Sequence, residues 1–230
     1  MKTITSAILA SFVAVAVHAQ NSVPSVNAAG YIKATCAVNK FYFLQVPFNT
    51  FDGSSYTLDT LIGTALPDGS SVYAWNTANQ TYDISNYIDG LGWSPDLPLA
   101  RGQGFFVLPS PESASSPTYD LFLFGEVPGA TTSAMTTMNL STGFTAVGFP
   151  YPVTTTLIDS GLTQITEDGD SVFMWNAGTQ TYEIFNRLDV PGLEWNGDED
   201  KVIPPGVGLF IGKANAGSYV SQVPYSWPNN

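Results

Sequence analysis

Asp68-Gly69-Ser70-Ser71-Val72-Tyr73-Ala74-Trp75-Asn76 returns one hundred residues later as Asp168-Gly169-Asp170-Ser171-Val172-Phe173-Met174-Trp175-Asn176. The match continues past this stretch: twelve of the twenty-two residues at 68–89 are identical to those at 168–189. Most of the other pairs are like-for-like exchanges. Chance does not produce such a match within one chain. The sequence therefore predicts a tandem duplication of a unit of about 100 residues, which is a usual domain size.

Each copy reads as a series of short strands. Apolar runs at 41–46 and 144–149 end at a proline, which is typical of buried strands. The two Asp-Gly pairs predict tight turns, each followed by a strand and a hairpin. Short strands at regular spacing, without a convincing amphipathic helix, indicate an all-β protein. We expect two homologous small β-sandwich or open-barrel modules in tandem, at 20–128 and 129–230.

The N-terminus has the pattern of a secretory signal peptide, residues 1–19. Lys2 supplies the positive charge, residues 4–17 are largely apolar, and Val17-His18-Ala19 fits a cleavage site before Gln20. The apolar run is shorter than the roughly 20 residues that cross a bilayer. We therefore expect a secreted protein (extracellular, cell-surface or periplasmic) with no transmembrane segment.

Composition excludes several function classes. The chain has 7 basic and 19 acidic residues, one histidine and one cysteine. Cleavage would remove the histidine, His18, and with it Ser-His-Asp and Cys-His catalysis and histidine-bound zinc. Nucleic-acid binding is not expected, because the basic residues are few and scattered. No cofactor is expected either. Cys36 lies in an alternating segment and is expected to be a buried thiol, the alternative being an intermolecular disulfide.

The chain resembles two copies of a β-repeat module of exported bacterial proteins. That module has a Val-x-x-Trp-Asn segment, a tyrosine, a Gly-Trp pair and a Pro-Gly-x-Gly-Phe-Phe-Val strand. Arg101 stands where the module usually has proline, and Leu209 replaces the first phenylalanine. The resemblance implies secretion and a β fold, and it implies no active site. The matching residues are Trp75-Asn76, Tyr82, Gly92-Trp93 and 102–107, then Trp175-Asn176, Tyr182, Trp195 and 205–211.

Three patterns have chemical interpretations that we weighed against structural ones. The Gly-x-Gly runs at 102–104 and 206–208 precede strand-forming residues, so close approach of an aromatic ring is expected rather than phosphate binding. The acidic loops at 167–170 and 196–200 lack the EF-hand spacing and are expected to be solvated, with no metal bound. Paired carboxylates would suffice for a glycoside hydrolase, which is a distant alternative. The duplicated pairs are Asp68 with Asp168, Asp83 with Glu183, and Asp89 with Asp189.

Aromatic residues give the best candidates for a binding site. Trp93 and Trp195 follow loops and have polar neighbours, so exposed indoles could stack on sugar rings, together with Tyr82 and Tyr182. The alternative is that both tryptophans pack in the cores of the modules. The other two duplicated tryptophans, on the alternating strands, are expected to be core residues.

The sequence thus predicts a non-catalytic cell-surface or extracellular structural and interaction protein. Repeated units add contact surface, and an open edge strand could pair with another copy. Self-association or an extracellular polysaccharide is the expected partner. A carbohydrate-binding module is the alternative function, ahead of the hydrolase.

Overall fold

The computed structural model describes residues 28–129 and 135–226. Over these ranges the protein is all-β, as the sequence predicts, with seventeen strands, one short α-helix and one 3₁₀ turn. The proposed signal peptide lies outside the described residues, so its cleavage stays a prediction. The duplication also stays a prediction from the sequence. We refer to residues 28–129 as the first half and to residues 135–226 as the second half.

Nine strands and the helix make up the first half. They are β1 (Ala29–Ala37), β2 (Tyr42–Gln45), β3 (Tyr56–Thr57), α1 (Leu58–Leu61), β4 (Ser71–Asn76), β5 (Thr81–Ile88), β6 (Gly92–Ser94), β7 (Pro98–Leu99), β8 (Gly104–Leu108) and β9 (Thr118–Glu126). Eight strands make up the described part of the second half. They are β10 (Thr136–Leu140), β11 (Gly143–Gly148), β12 (Thr155–Thr156), β13 (Ser171–Asn176), β14 (Thr181–Asn186), β15 (Val202–Ile203), β16 (Gly208–Lys213) and β17 (Gly217–Ser221), with the 3₁₀ turn at Leu162–Gln164.

Each half is built around one main antiparallel sheet. Its strand order is β2-β8-β4-β5-β6 in the first half and β11-β16-β13-β14 in the second. A long two-stranded ribbon accompanies each main sheet, β1 with β9 and β10 with β17. A pair of two-residue strands, β3 with β7 or β12 with β15, completes each half. Corresponding strands therefore pair in the same way in both halves.

The hairpin between β4 and β5 shows how the repeated sequence forms the same local structure twice. Gly69 and Gly169 have φ angles of 81° and 88°, the left-handed region in which glycine is favoured, and each turn leads into a central strand. In both hairpins tryptophan pairs with tyrosine and the last asparagine of the strand pairs with threonine. The predicted turns and hairpins are therefore confirmed in both halves.

Each half has its own hydrophobic core, packed between the inner face of the main sheet and the ribbon. In the first half, Val72 and Phe105 from the sheet pack with Cys36 and Leu121 from the ribbon. In the second half, Val172 and Leu209 pack in the same way with Leu140 and Tyr219. This gives two sandwich-like units. Cys36 is completely buried, as expected, and burial raises its pKa to about 12.

None of the helices within the described ranges is long and apolar enough to cross a membrane.

A third hydrophobic cluster lies between the two halves. Its buried members are Phe43 and Phe106 from the first half, with Ala146 and Phe210 from the second. They project from the outer faces of the two main sheets, opposite the inner faces that form the separate cores. The outer faces of both sheets therefore meet at the centre of the molecule.

Candidate functional site

Trp93 and Trp195 lie in the two cores and not on the surface. Their exposed fractions are 4% and 0%. The Trp93 indole N–H donates to the Gly63 carbonyl at 3.0 Å, and that of Trp195 donates to the Thr163 hydroxyl at 3.1 Å. The expectation that they form a sugar-stacking surface is wrong, because neither ring reaches solvent. Their polar sequence neighbours are exposed while the indoles turn inward, so neighbouring residues were a poor guide.

Tyr82 and Tyr182 lie together at the boundary between the halves. Tyr82 is partly buried and Tyr182 is 38% exposed, and both side chains line the same two pockets. Burial is the main cause of a raised pKa in both, so both phenols stay neutral at physiological pH. Of the four residues predicted to bind ligand, these two remain at an accessible site.

Trp75 and Trp175 are the tryptophans at this boundary. They were expected to pack in the cores of the two modules; they are partly buried and pack instead against the third hydrophobic cluster, between the halves. Trp75 donates its indole N–H to the Phe144 carbonyl at 2.8 Å, and Trp175 donates to the Phe41 carbonyl at 2.9 Å. Each tryptophan is therefore anchored to the opposite half. Reciprocal contacts of this kind are expected of two units related by an approximate twofold axis.

Two glutamines at the tips of the hairpins make further reciprocal hydrogen bonds across the boundary between the halves. Gln80 accepts from the Phe144 amide at 2.7 Å, and Gln180 accepts from the Phe41 amide at 2.9 Å. Both glutamines have positive φ angles, 52° and 59°, which are uncommon for residues other than glycine. The reciprocal hydrogen bonds across the boundary offset the cost of these conformations. Each hairpin tip is thus a fixed part of the contact between the halves.

The Gly-x-Gly strands allow the two sheets to approach closely. A Cβ at Gly208 would lie 2.5 Å from Cδ2 of Phe43, and one at Gly104 would lie 2.9 Å from Cε2 of the same ring. Real side chains do not fit at such distances. The prediction that these glycines admit an aromatic ring is confirmed. Phe43 stacks on Phe106 at a centroid distance of 4.2 Å and contacts Phe210 at 5.0 Å.

The two outer faces diverge on either side of this contact and leave two open pockets. The first pocket has a volume of about 260 Å³ and the second about 240 Å³. Tyr82 and Tyr182 contribute to both. The other residues of the first pocket are Phe41, Tyr73, Phe106 and Trp175, and those of the second are Trp75, Phe144, Phe173 and Phe210. We call the two pockets together the aromatic cleft.

The walls of the cleft are aromatic throughout. The lining residues of both pockets are Phe, Tyr and Trp, so their polar atoms are phenol hydroxyls and indole nitrogens. The indole N–H groups are already bound to carbonyls of the opposite half. No carboxylate, thiol or basic group lines either pocket. The cleft can therefore bind a ligand mainly by ring contacts, with hydrogen bonds from the phenol hydroxyls.

Three of the duplicated carboxylates, Asp68, Asp83 and Glu183, have structural partners away from the cleft. Asp68 accepts from the Asp89 amide at 2.9 Å, which closes the turn next to β5. Asp83 accepts from Asn76 at 3.0 Å, and Glu183 pairs with Lys201. Among the described residues, no group of three or more His, Cys, Asp or Glu side chains is placed to hold a metal ion.

The aromatic cleft is the functional candidate that sequence reasoning missed. A signal was present in the Gly-aromatic strands: β8 and β16 carry apolar residues on both faces, a pattern typical of strands buried on both sides. The repeat alone did not show that the second face meets the other copy.

No family model matches this chain, and the searches found no similar curated protein and no similar solved structure. The functional argument rests on the geometry of the cleft.

Proposed function

We propose that this protein is an exported, non-catalytic interaction protein whose ligand-binding site is the aromatic cleft between its halves. The observation that carries the proposal is the pair of open pockets that share Tyr82 and Tyr182. Ligand sites are typically concave and lined mostly by apolar and aromatic side chains with few polar groups. Two matching pockets of about 250 Å³ at a well-packed boundary are therefore a candidate site for ligands.

Export rests on the signal-peptide pattern of residues 1–19. Sequencing the N-terminus of protein collected outside the cytoplasm tests it. We expect the mature chain to begin at Gln20, and an intact Met1 on that material would contradict export by this signal.

Fluorine NMR of 5-fluorotryptophan-labelled protein tests the binding site. The chain has five tryptophans, two of which lie in the cleft and two in the cores. Single Trp→Phe variants assign the signals. A panel of small sugars, aliphatic alcohols, aromatic compounds and organic cations is then titrated into the whole mature protein.

A ligand of the cleft shifts the Trp75 and Trp175 signals and leaves those of Trp93 and Trp195 in place. The buried pair is thus an internal control. A panel that moves no cleft signal, or moves core and cleft signals equally, would contradict the proposed site.

Polysaccharide binding is the second candidate function. It is favoured by the two phenol groups in the cleft, because tyrosine offers a sugar both an apolar face and a hydroxyl. Affinity electrophoresis through gels that contain soluble polysaccharides tests it. Retardation should be lost in the Tyr82→Ala and Tyr182→Ala variants. It should persist in Tyr31→Ala, because Tyr31 is 70% exposed on a ribbon outside the cleft.

A further inference from the structure

The aromatic cleft has the shape of two boxes and not of a flat platform. In the first pocket, the rings of Tyr73 and Tyr82 meet at 87°, and those of Phe106 and Trp175 meet at 89°. The second pocket repeats this geometry, with 89° between Phe173 and Tyr182. Steeply inclined rings surround a compact group on several sides. A flat sugar ring stacks on one broad face, whereas steeply inclined rings suit a compact group better.

The chemistry of the walls favours a ligand that needs few hydrogen bonds. Free polar capacity in the pockets is confined to phenol hydroxyls, because both indole N–H groups donate to backbone carbonyls. A ligand rich in hydroxyl or carboxylate groups would lose hydrogen bonds to water that the walls cannot replace. The bound group is therefore weakly hydrated on its outer surface.

The charges around the pockets favour a cationic ligand group over a neutral one. The faces of aromatic rings carry negative partial charge and attract a cation placed over them. Lys, Arg and His are absent from the lining of both pockets, so nothing there repels one. The whole chain has a net charge of −12, which raises the local concentration of cations around it.

Size limits the ligand further. Volumes of about 260 and 240 Å³ fall below the roughly 300 Å³ at which sites for drug-sized ligands begin. We propose that each pocket binds the head of a free small quaternary ammonium compound of the choline type, held by cation–π contacts. This inference rests on the proposed function, since it names the class of ligand for the same cleft.

A comparison of two nearly identical ligands isolates the charge. Choline and 3,3-dimethylbutan-1-ol have the same shape, and only choline is charged. Each is titrated into the whole mature protein labelled with 5-fluorotryptophan, with the Trp175 signal reporting the first pocket and the Trp75 signal the second. We expect choline to bind about tenfold more tightly, the order expected of a desolvated cation–π contact.

Two matched variants localise the effect. Tyr73→Leu removes a ring from the first pocket only, and Phe173→Leu removes the corresponding ring from the second. Tyr73→Leu should abolish the preference for choline at Trp175 and keep it at Trp75, and Phe173→Leu should do the reverse. Tyr31→Leu, on the exposed ribbon, should change neither. Unchanged Trp93 and Trp195 signals show that a variant is folded.

The outcomes separate this inference from the proposed function. Equal affinity for the two compounds overturns the cationic ligand and leaves the cleft as a binding site. Cleft shifts with other compounds of the panel, and none with choline, have the same meaning. If no compound shifts the cleft signals, both the inference and the proposed site are wrong. Binding to phosphatidylcholine vesicles without binding of free choline would also overturn the inference.

Discussion

Lys213 and Asp170 form an ion pair buried inside the second half, and the Lys213→Met variant tests how this half is held together. The side chains are 3% and 1% exposed. Lys213 also donates to the Ile165 carbonyl at 2.7 Å, and Asp170 accepts from the Ala214 amide at 3.1 Å. The variant leaves the carboxylate buried without its cation. We expect the free energy of unfolding of the second half to fall by about 3–5 kcal/mol, because solvent does not screen this pair.

The first half provides the control, because a neutral residue occupies the corresponding buried position there. Ser70 stands at the position of Asp170, accepts from the Ser110 amide at 3.0 Å and donates to the Pro67 carbonyl at 2.6 Å. The double variant Asp170→Ser with Lys213→Met removes both charges and places at 170 the serine found at the corresponding position of the first half. We expect it to recover stability to within about 1 kcal/mol of the wild type, since a buried ion pair often contributes little beyond a neutral replacement.

The assay is urea unfolding followed by fluorine NMR, with Trp195 reporting the second half and Trp93 the first. The Lys213→Met variant should lower the midpoint for Trp195 much more than that for Trp93. A loss below about 1 kcal/mol in the single variant would refute the reasoning, since leaving a buried charge unpaired costs more than that. A double variant as unstable as the single one would also refute it.

Three further predictions concern other parts of the molecule. Burial raises the pKa of Asp170, but hydrogen bonds from Lys213 and two backbone amides outweigh it and hold the pKa below its usual value. Asp170 therefore stabilises the second half above the ordinary aspartate pKa, and this stabilisation is lost as the pH falls through the pKa of the folded state. In an acid titration, the second half should be more stable in wild type than in Asp170→Asn above that folded pKa, and the difference should disappear below it. Cys36 should react with a disulfide reagent at pH 8 only as fast as the first half unfolds, because its pKa is about 12 and its side chain is buried; rapid reaction in the native protein would contradict this. Gly208→Ala should destabilise the contact between the halves by about 1–3 kcal/mol in urea unfolding, because its Cβ would meet the Phe43 ring; Gly217→Ala, whose Cβ would meet nothing closer than 3.8 Å, is the control, and equal losses would be contrary to the account.

Local sequence was enough to predict the strands and turns. The Asp-Gly turns, the alternation through Val72 to Trp75 and the Gly-aromatic strands predicted a β fold because these signals depend on neighbouring residues only. The burial of Cys36 was also predicted, since a free cysteine behaves as a small hydrophobic residue.

The site could not be predicted in the same way. Alternation in β4 shows that Val72 and Trp75 lie on opposite faces, but it does not show whether the second face meets solvent or another sheet. That depends on how the halves pack, which is set by contacts between residues distant in sequence. Neighbouring residues in the chain therefore favoured a core position for Trp75, and for Trp93 they left both a surface and a core position open. Tyr82 and Tyr182 were candidates from the sequence, but their position side by side depends on how the two halves pack.

The most direct test of the account is a two-dimensional NOE spectrum of the whole mature protein with assigned aromatic rings. The central claim is that the outer faces of the two main sheets meet and enclose the aromatic cleft. The ring centroids of Phe106 and Trp175 are 5.5 Å apart, and those of Trp75 and Phe210 are 5.3 Å apart. We predict NOE cross-peaks for both pairs, with similar intensity because the contacts are reciprocal. Cross-peaks confined to rings of the same half would contradict the account, because the cleft would then not exist in solution.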